Sequence, residues 1–386
     1  MKYAIVLTTN NNTFVDEMKS SLITCLHKVL NKEMIRYVLD ALKPLELDQI
    51  FIEDDDLHQI ANTLDDYQVL SLDKIIDIVS KDDGEVLIID SRMPYLTSEC
   101  LKHLLDANSD HILTRYLVSN DVYCIKANHL KDESYETTFI DGSYDLCFDQ
   151  ILNRIDLSIA NDYFKHSVNE KHMLNGVTII DINNTYIDAD VIIGRDSIIY
   201  PNTHLQEHTV IGENCIILPN SFLRNAIIGD NVTIDSSKIV ESQIKSHTTI
   251  GPMSHLRNNC VVEENVRIGN FVEFKNTNFG EGSKCAHLTY VGDSDVGKDV
   301  NFGCGVVTVN YDGKYKYRTT IKDGAFIGSN VNLIAPVTIG ENVVCAAGST
   351  ITDSVDDGDM GIARNRQSVV KGYGYKYKDK NKKRKD

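Results

Sequence analysis

The sequence predicts two unlike halves, an α/β unit followed by a parallel β-helix built from six-residue repeats. Three observations carry this. Only Gly84 and Gly142 among the 23 glycines precede Gly176, so backbone that needs glycine is confined to the second half. Short apolar runs alternate with helical patterns in the first half, the mark of βα units. From about Ile187 onward, aliphatic residues recur every six positions, a period that fits neither a straight helix nor a coiled coil.

In the first half, Tyr3 to Leu7, Gln49 to Glu53 and Glu85 to Asp90 read as strands, separated by segments with apolar residues three and four apart. They predict an α/β domain with a largely parallel sheet over residues 1–143. A helical pattern from Tyr144 to His172 follows, its apolar stripe including Leu146, Ile151, Ile155, Leu157 and Ile159. It reads as a connecting helix, 144–174, packed on one side.

In the second half, 175–363, an aliphatic residue is commonly followed by Gly and, four positions on, by a small or β-branched residue. Ile193-Gly194 with Ser197, Ile268-Gly269 with Val272 and Ile339-Gly340 with Val343 show the pattern. Ile321, Ile327, Leu333, Ile339, Cys345 and Ile351 keep the step unbroken. Three such hexads make one triangular turn, with aliphatics stacked inward, strands bonded to the next rung at roughly 4.8 Å and glycine at sharp corners. Asn310 to Thr319 breaks the step with polar and aromatic residues and is expected to loop out from a corner. Excursions on a rigid solenoid are where function concentrates.

Composition narrows the function. Within 386 residues no apolar run approaches a membrane span or a signal-peptide core, which points to the cytoplasm. A formal charge of −17 argues against sequence-independent nucleic-acid binding. The nine cysteines are scattered, without Cys-x-x-Cys or metal-ligand spacing, and read as reduced, mostly buried thiols. The basic segment Lys371 to Lys385, with Tyr373, Tyr375 and Tyr377 interleaved, lies in the tail 364–386. It reads first as a solvated tail, with a place near an anionic ligand as the alternative.

Departures from the hexad rule mark candidate chemistry. They are densest at Glu273, Lys275, His287, Tyr290 and Asn301, with Arg257 one coil earlier. Arg257 and Lys275 are 18 residues apart, so they stack on adjacent rungs, where two cations repel unless an anion lies between them. A phosphate fits; salt bridging to Glu273 is the competing explanation. His287 carries the one side chain of the cluster that ordinarily titrates near neutral pH. With no Ser-His-Asp or His/Cys metal set beside it, a base acting on an amine is the simplest chemistry.

His287-Leu288-Thr289-Tyr290, Asn270-Phe271-Val272-Glu273-Phe274-Lys275, Asn310-Tyr311-Asp312-Gly313 and Ile327-Gly328-Ser329 resemble a bifunctional bacterial family. That family couples a glucosamine-1-phosphate N-acetyltransferase to an N-acetylglucosamine-1-phosphate uridylyltransferase in making UDP-N-acetylglucosamine. The likeness is dense from about Asn169 to Tyr373. It implies a left-handed β-helix, a homotrimer with sites assembled between subunits, and acetyl-CoA as co-substrate. It further implies His287 as the general base on the substrate amine. Arg257, Lys275, Tyr290, Asn301 and Lys316 of the excursion match sugar-phosphate ligands. Cys304, Asn310, Tyr311, Ser329, Ala347 and Arg364 match contacts of acetyl-CoA, Cys304 standing where many members carry alanine.

The first half resembles the same family only in outline, through Met18-Lys19-Ser20-Ser21-Leu22, Leu26-His27-Lys28-Val29 and Met34-Ile35. The resemblance implies a degenerate, shortened nucleotidyltransferase-like domain. Where the family cradles phosphates with a glycine-rich loop, this chain has Thr8-Thr9-Asn10-Asn11-Asn12-Thr13. Thr24 stands at the family's lysine, Ser91-Arg92-Met93-Pro94 replaces its Gly-Asp before proline, and Leu152 falls at its second metal ligand. A cation in place of a metal carboxylate should abolish Mg²⁺ binding. The expected function is acetyl transfer from acetyl-CoA to glucosamine-1-phosphate in UDP-N-acetylglucosamine (cell-wall precursor) synthesis, with uridylyltransferase activity lost and no nucleic-acid or membrane partner. Alternatives are another amino-sugar phosphate or nucleotide amino sugar as acceptor, residual uridylyltransferase activity, or a non-catalytic trimeric scaffold.

Overall fold

The computed structural model describes residues 1–8, 18–54, 59–64, 66–119, 121–132, 134–141 and 145–382. The chain divides into two compact units, Met1–Leu174 with Thr185–Val191, and Asn175–Asn184 with Ile192–Asp386.

In the first unit, strands Lys2–Leu7, Gln49–Glu53 and Glu85–Asp90 form where the apolar runs predict them. Ala4, Ile5 and Val6 are all fully buried, because a parallel strand covered on both faces is apolar throughout instead of alternating. By first residue, the sheet order is Gln68, Gln49, Lys2, Glu85, Val122, Leu113, Thr137. The first four strands are parallel, but Val122–Lys126 runs antiparallel to both its neighbours. The sheet is therefore mixed toward one edge, since the short link from Leu113–Tyr116 can return the chain only antiparallel.

The connecting helix starts at Arg154, later than the pattern suggests, and runs to Leu174; Asp145–Phe148 is a separate 3-10 turn. Asn153 fixes the start by accepting the backbone N–H groups of Ile155 and Asp156 on its Oδ1, at 2.8 and 3.1 Å. The expected stripe does not pack as a whole. Ile155 and Ile159 are exposed at 72% and 60%, and the helix instead packs through Leu157, Ala160 and Phe164 against Tyr37 and Tyr95.

The second unit is the left-handed parallel β-helix of hexapeptide repeats, its short strands stacked into parallel sheets on three faces. One inward column, Ile193, Ile211, Ile228, Ile244, Val262, Phe279, Val296, Ile321 and Ile339, pairs rung on rung along the coil. All nine are buried, each contributing roughly 1.5–3 kcal/mol of apolar burial. Near the site, the first face carries Arg267–Asn270, Lys284–His287 and Asn301–Phe302. The second carries His255–Arg257, Glu273–Lys275 and Tyr290–Gly292, and the third Asn278–Phe279, Ser294–Val296 and Thr319–Ile321.

Two details differ from the ideal period. A rung is not always 18 residues: Lys284 pairs with Asn301, 17 on, and Asn301 with Phe326, 25 on, across the excursion. Apart from Gly251 after Ile250, the glycine that follows an aliphatic also does not serve as the left-handed corner, a place taken most often by asparagine, as at Asn202, Asn220 and Asn330. A Cβ on Gly269 would sit 2.0 Å from the Ala286 carbonyl oxygen, so glycine is needed there because successive rungs approach too closely for a side chain.

Candidate active site

His287 ends the strand Lys284–His287 at the corner between the first and second faces, and is exposed. Asn270 lies directly beneath it in the ladder, with its Oδ1 2.7 Å from His287 Nδ1. An amide oxygen only accepts, so the ring donates from Nδ1, and in the neutral imidazole Nε2 then keeps the lone pair. Backbone strain gathers on these rungs. At this corner the left-handed position is Asn or Gly in most turns, but Met253, Phe271 and Leu288 hold φ values of 58°, 56° and 45°.

On the second face, Arg257 pairs rung on rung with Lys275, as its spacing predicts, and Glu273 with Tyr290. The competing explanation also holds for Arg257: its guanidinium bonds to Glu273 Oε1 through Nη2 and, at 3.2 Å, through Nε. Lys275 has no salt bridge among the described residues. The positive charge of Lys316, together with burial, holds the Lys275 pKa below the usual lysine range. Asp293 pulls the other way. Burial pushes the Tyr290 hydroxyl pKa up, with Asn310 pulling the other way.

The acetyl-CoA candidates fall on two corners. Cys304, Ser329 and Ala347 form an exposed column above His287: Asn330 N–H bonds to the Cys304 carbonyl and Gly348 N–H to that of Ser329, each at 2.8 Å. Arg364 Cδ lies beside Gly348. Asn310 and Tyr311 stand at the opposite edge, where the second face turns into the third. Asn310 is buried with its amide on Asp293, and Tyr311 is exposed, its hydroxyl donating to the Gly313 carbonyl at 2.6 Å. Asn301 stacks on Lys284 on the first face, so it does not share the face of Arg257, Lys275 and Tyr290.

Sequence reasoning missed Asn270, Asp293, Asp295 and Arg318. The 17-residue rung was the available signal for Asn270, because it places that residue beneath His287.

In the first unit, Arg92 grips Asp90 through Nε at 3.0 and 3.1 Å and Nη2 at 2.5 Å, and Gln150 Nε2 donates to the same carboxylate at 3.2 Å. A guanidinium fork in that position does not fit a divalent cation. Thr24 opens a 3-10 turn and Leu152 is 39% exposed. Thr8 donates its N–H and hydroxyl to Glu53, whose carboxylate is buried; Thr9 to Thr13 lie outside the described residues. Among the described residues there is no cluster of His, Cys, Asp and Glu able to hold a metal ion, and no helix long and apolar enough to cross a membrane.

A triangular coil with an oriented histidine beside a cationic face defines a hexapeptide-repeat transferase, and the family described as bacterial transferase hexapeptide (six repeats) matches residues 190–225 and 318–353. The bifunctional protein GlmU of Clostridioides difficile is 47% identical over 57% of this chain and 48% of its own length. Those of Clostridium acetobutylicum and Exiguobacterium sibiricum are 34% and 35% identical over 92% and 96% of this chain, and 95% and 99% of their own lengths. The chain belongs to the GlmU family of bifunctional proteins.

Proposed function

We propose that the protein transfers the acetyl group of acetyl-CoA to the amine of glucosamine-1-phosphate, giving N-acetylglucosamine-1-phosphate for UDP-N-acetylglucosamine, and that it works as a cytoplasmic homotrimer. The observation that carries this is the oriented His287, whose Nδ1 is occupied by Asn270 at 2.7 Å. Nε2 is thereby the nitrogen that accepts the amine proton as the C–N bond forms. The C–S bond then breaks and coenzyme A leaves as its thiol. Arg257, Lys275, Tyr290 and Lys316 take the sugar phosphate, Asn301 joining them from another face. Cys304, Ser329, Ala347 and Arg364 line one corner for acetyl-CoA. Asn310 and Tyr311 sit on another, so a molecule touching all six bridges two copies of the chain. Holding amine and thioester together supplies much of the remaining acceleration.

The same reading takes uridylyltransferase activity as lost, with no Mg²⁺ bound at the first unit, supported by the Arg92 fork on Asp90. Both half-reactions are assayed on one preparation. Acetyl-CoA consumption with glucosamine-1-phosphate is expected, with a drop of roughly 10²–10⁴-fold in His287→Ala while the assembly stays intact. Unchanged turnover in that variant removes His287 as the base, and UTP-dependent pyrophosphate release from the wild type refutes loss of the second activity.

A further inference from the structure

The excursion that carries Lys316 is tied at both ends to one stretch of the coil. At its start, Asn310 Nδ2 donates to the carboxylate of Asp293, which also accepts Asn276 Nδ2 at 2.5 Å. At its end, Arg318 donates to both oxygens of Asp295, at 2.8 and 2.6 Å. Arg318 also reaches the carbonyls of Ser294 at 3.0 Å and Asn276 at 3.2 Å. Thr319 N–H closes on the Asp293 carbonyl at 3.1 Å. Between the ends, Tyr311 and Lys316 form an antiparallel bridge, and Asp312 accepts the N–H groups of Lys314 and Tyr315.

Two ammonium groups side by side repel, and a lysine on a loose loop would swing into solvent. The excursion's two ends nonetheless fasten at Asp293, whose own N–H bonds to the Lys275 carbonyl at 2.9 Å, so the loop that carries Lys316 is held next to Lys275, in keeping with the lowered Lys275 pKa. We propose that Arg318 is a positioning residue. Clamped on Asp295, it fixes the return strand of the excursion and keeps Lys316 against Lys275 before any ligand arrives, so that the cationic pair is already assembled for the sugar phosphate. The proposal rests on the acetyltransferase reading. A planar fork is required for it: four acceptors are reached from one side chain, which a lysine cannot do.

The test compares full-length wild type with Arg318→Gln, Arg318→Lys, Asp295→Asn and the Arg318→Gln/Asp295→Asn double variant. In Arg318→Gln the KM for glucosamine-1-phosphate should rise roughly tenfold with kcat within about twofold, the pattern of a lost binding contribution. The KM for acetyl-CoA should hold, because Asp293 still ties the start of the excursion. Arg318→Lys should recover part of the loss, and the double variant should be no worse than the poorer single one. Trypsin should cleave after Lys314 and Lys316 faster in Arg318→Gln, a readout independent of activity. An unchanged sugar-phosphate KM in a folded variant, additive single effects, or a fall in kcat alone would overturn the proposal. Should Arg318→Gln fail to fold, Asp295→Asn and Arg318→Lys decide it by the same criteria. If the wild type does not turn over glucosamine-1-phosphate, the acetyltransferase reading fails, and equal trypsin cleavage would then overturn the clamp as well.

Discussion

Replacing Asn270 by alanine removes one partner of the hydrogen bond that orients His287 and leaves the imidazole in place. The bond is 2.7 Å long, neutral and exposed. Such bonds contribute about 0.5–1.5 kcal/mol net, and exposure places this one toward the lower half. A loss of about 1 kcal/mol corresponds to roughly a fivefold drop in kcat. Removing the base itself should cost roughly 10²–10⁴-fold, so the two variants are well separated. Asn270→Asp sharpens the test. A carboxylate at the same distance favours the imidazolium and raises the histidine pKa, so more alkali is needed to obtain the neutral base. The acid limb of kcat against pH should therefore move to higher pH in Asn270→Asp and stay put in Asn270→Ala. The assay is acetyl-CoA consumption at saturating glucosamine-1-phosphate across pH. An Asn270→Ala enzyme as crippled as His287→Ala, or an unshifted limb in Asn270→Asp, would refute the orienting role.

Three further outcomes are expected. Cys304 is the exposed thiol, whereas burial pushes Cys25, Cys124 and Cys285 up to about 12, so a thiol reagent should label Cys304 first. Saturating acetyl-CoA should slow that labelling; indifference to it would take Cys304 out of the cofactor's path. Because Lys316 depresses the pKa of Lys275, this proposed phosphate ligand loses its proton at lower pH than an ordinary lysine. Sugar-phosphate KM should rise correspondingly early as pH increases, and Lys316→Met should move that limb to higher pH while weakening binding at neutral pH. Gly269→Ala forces a Cβ to within 2.0 Å of the Ala286 carbonyl, which spreads the rungs at a cost of about 1–3 kcal/mol. Thermal unfolding should register it as a lower Tm, and an unchanged Tm would contradict the close-approach account.

The sequence revealed the coil because each turn repeats one simple requirement, an aliphatic side chain pointing inward every six residues. Arg257 beneath Lys275 was legible for the same reason, since their rung happens to be 18 residues long. Asn270 was not, because its rung is one residue shorter and an assumed period of 18 puts a different neighbour beneath His287. The clamp of Arg318 on Asp295 was illegible for a deeper reason: the excursion breaks the period, and no spacing rule says where its ends return. In the first unit the buried strands were plain, but the helix start depended on the Asn153 cap, which an apolar stripe does not encode. The exposure of Ile155 and Ile159 likewise shows that a helical period marks a face without saying what covers it.

The two units put arginine to opposite uses, and the difference follows from what each guanidinium already holds. Arg92 spends its fork on Asp90, two residues away and itself steadied by Gln150, so any anion entering there must compete with a pair that is fixed and partly buried. Arg257 is paired too, with Glu273, but it stacks beneath Lys275, which has no salt bridge among the described residues and whose pKa the charge of Lys316 lowers. A phosphate arriving at this face first relieves the repulsion between the two lysines, a gain available to it and not to a neutral sugar. Only afterwards need Arg257 exchange Glu273 for a phosphate oxygen. Since Glu273 stacks directly on Tyr290, that exchange would release a carboxylate toward the Tyr290 side of the face. On the proposed acetyltransferase reading, specificity for the phosphorylated sugar is expected to reside in Lys275 and Lys316 more than in the paired Arg257. Glu273→Gln should accordingly alter sugar-phosphate binding far less than Lys275→Met, and kcat/KM for glucosamine-1-phosphate in the two variants measures it directly. The reverse order would place the discriminating charge on Arg257.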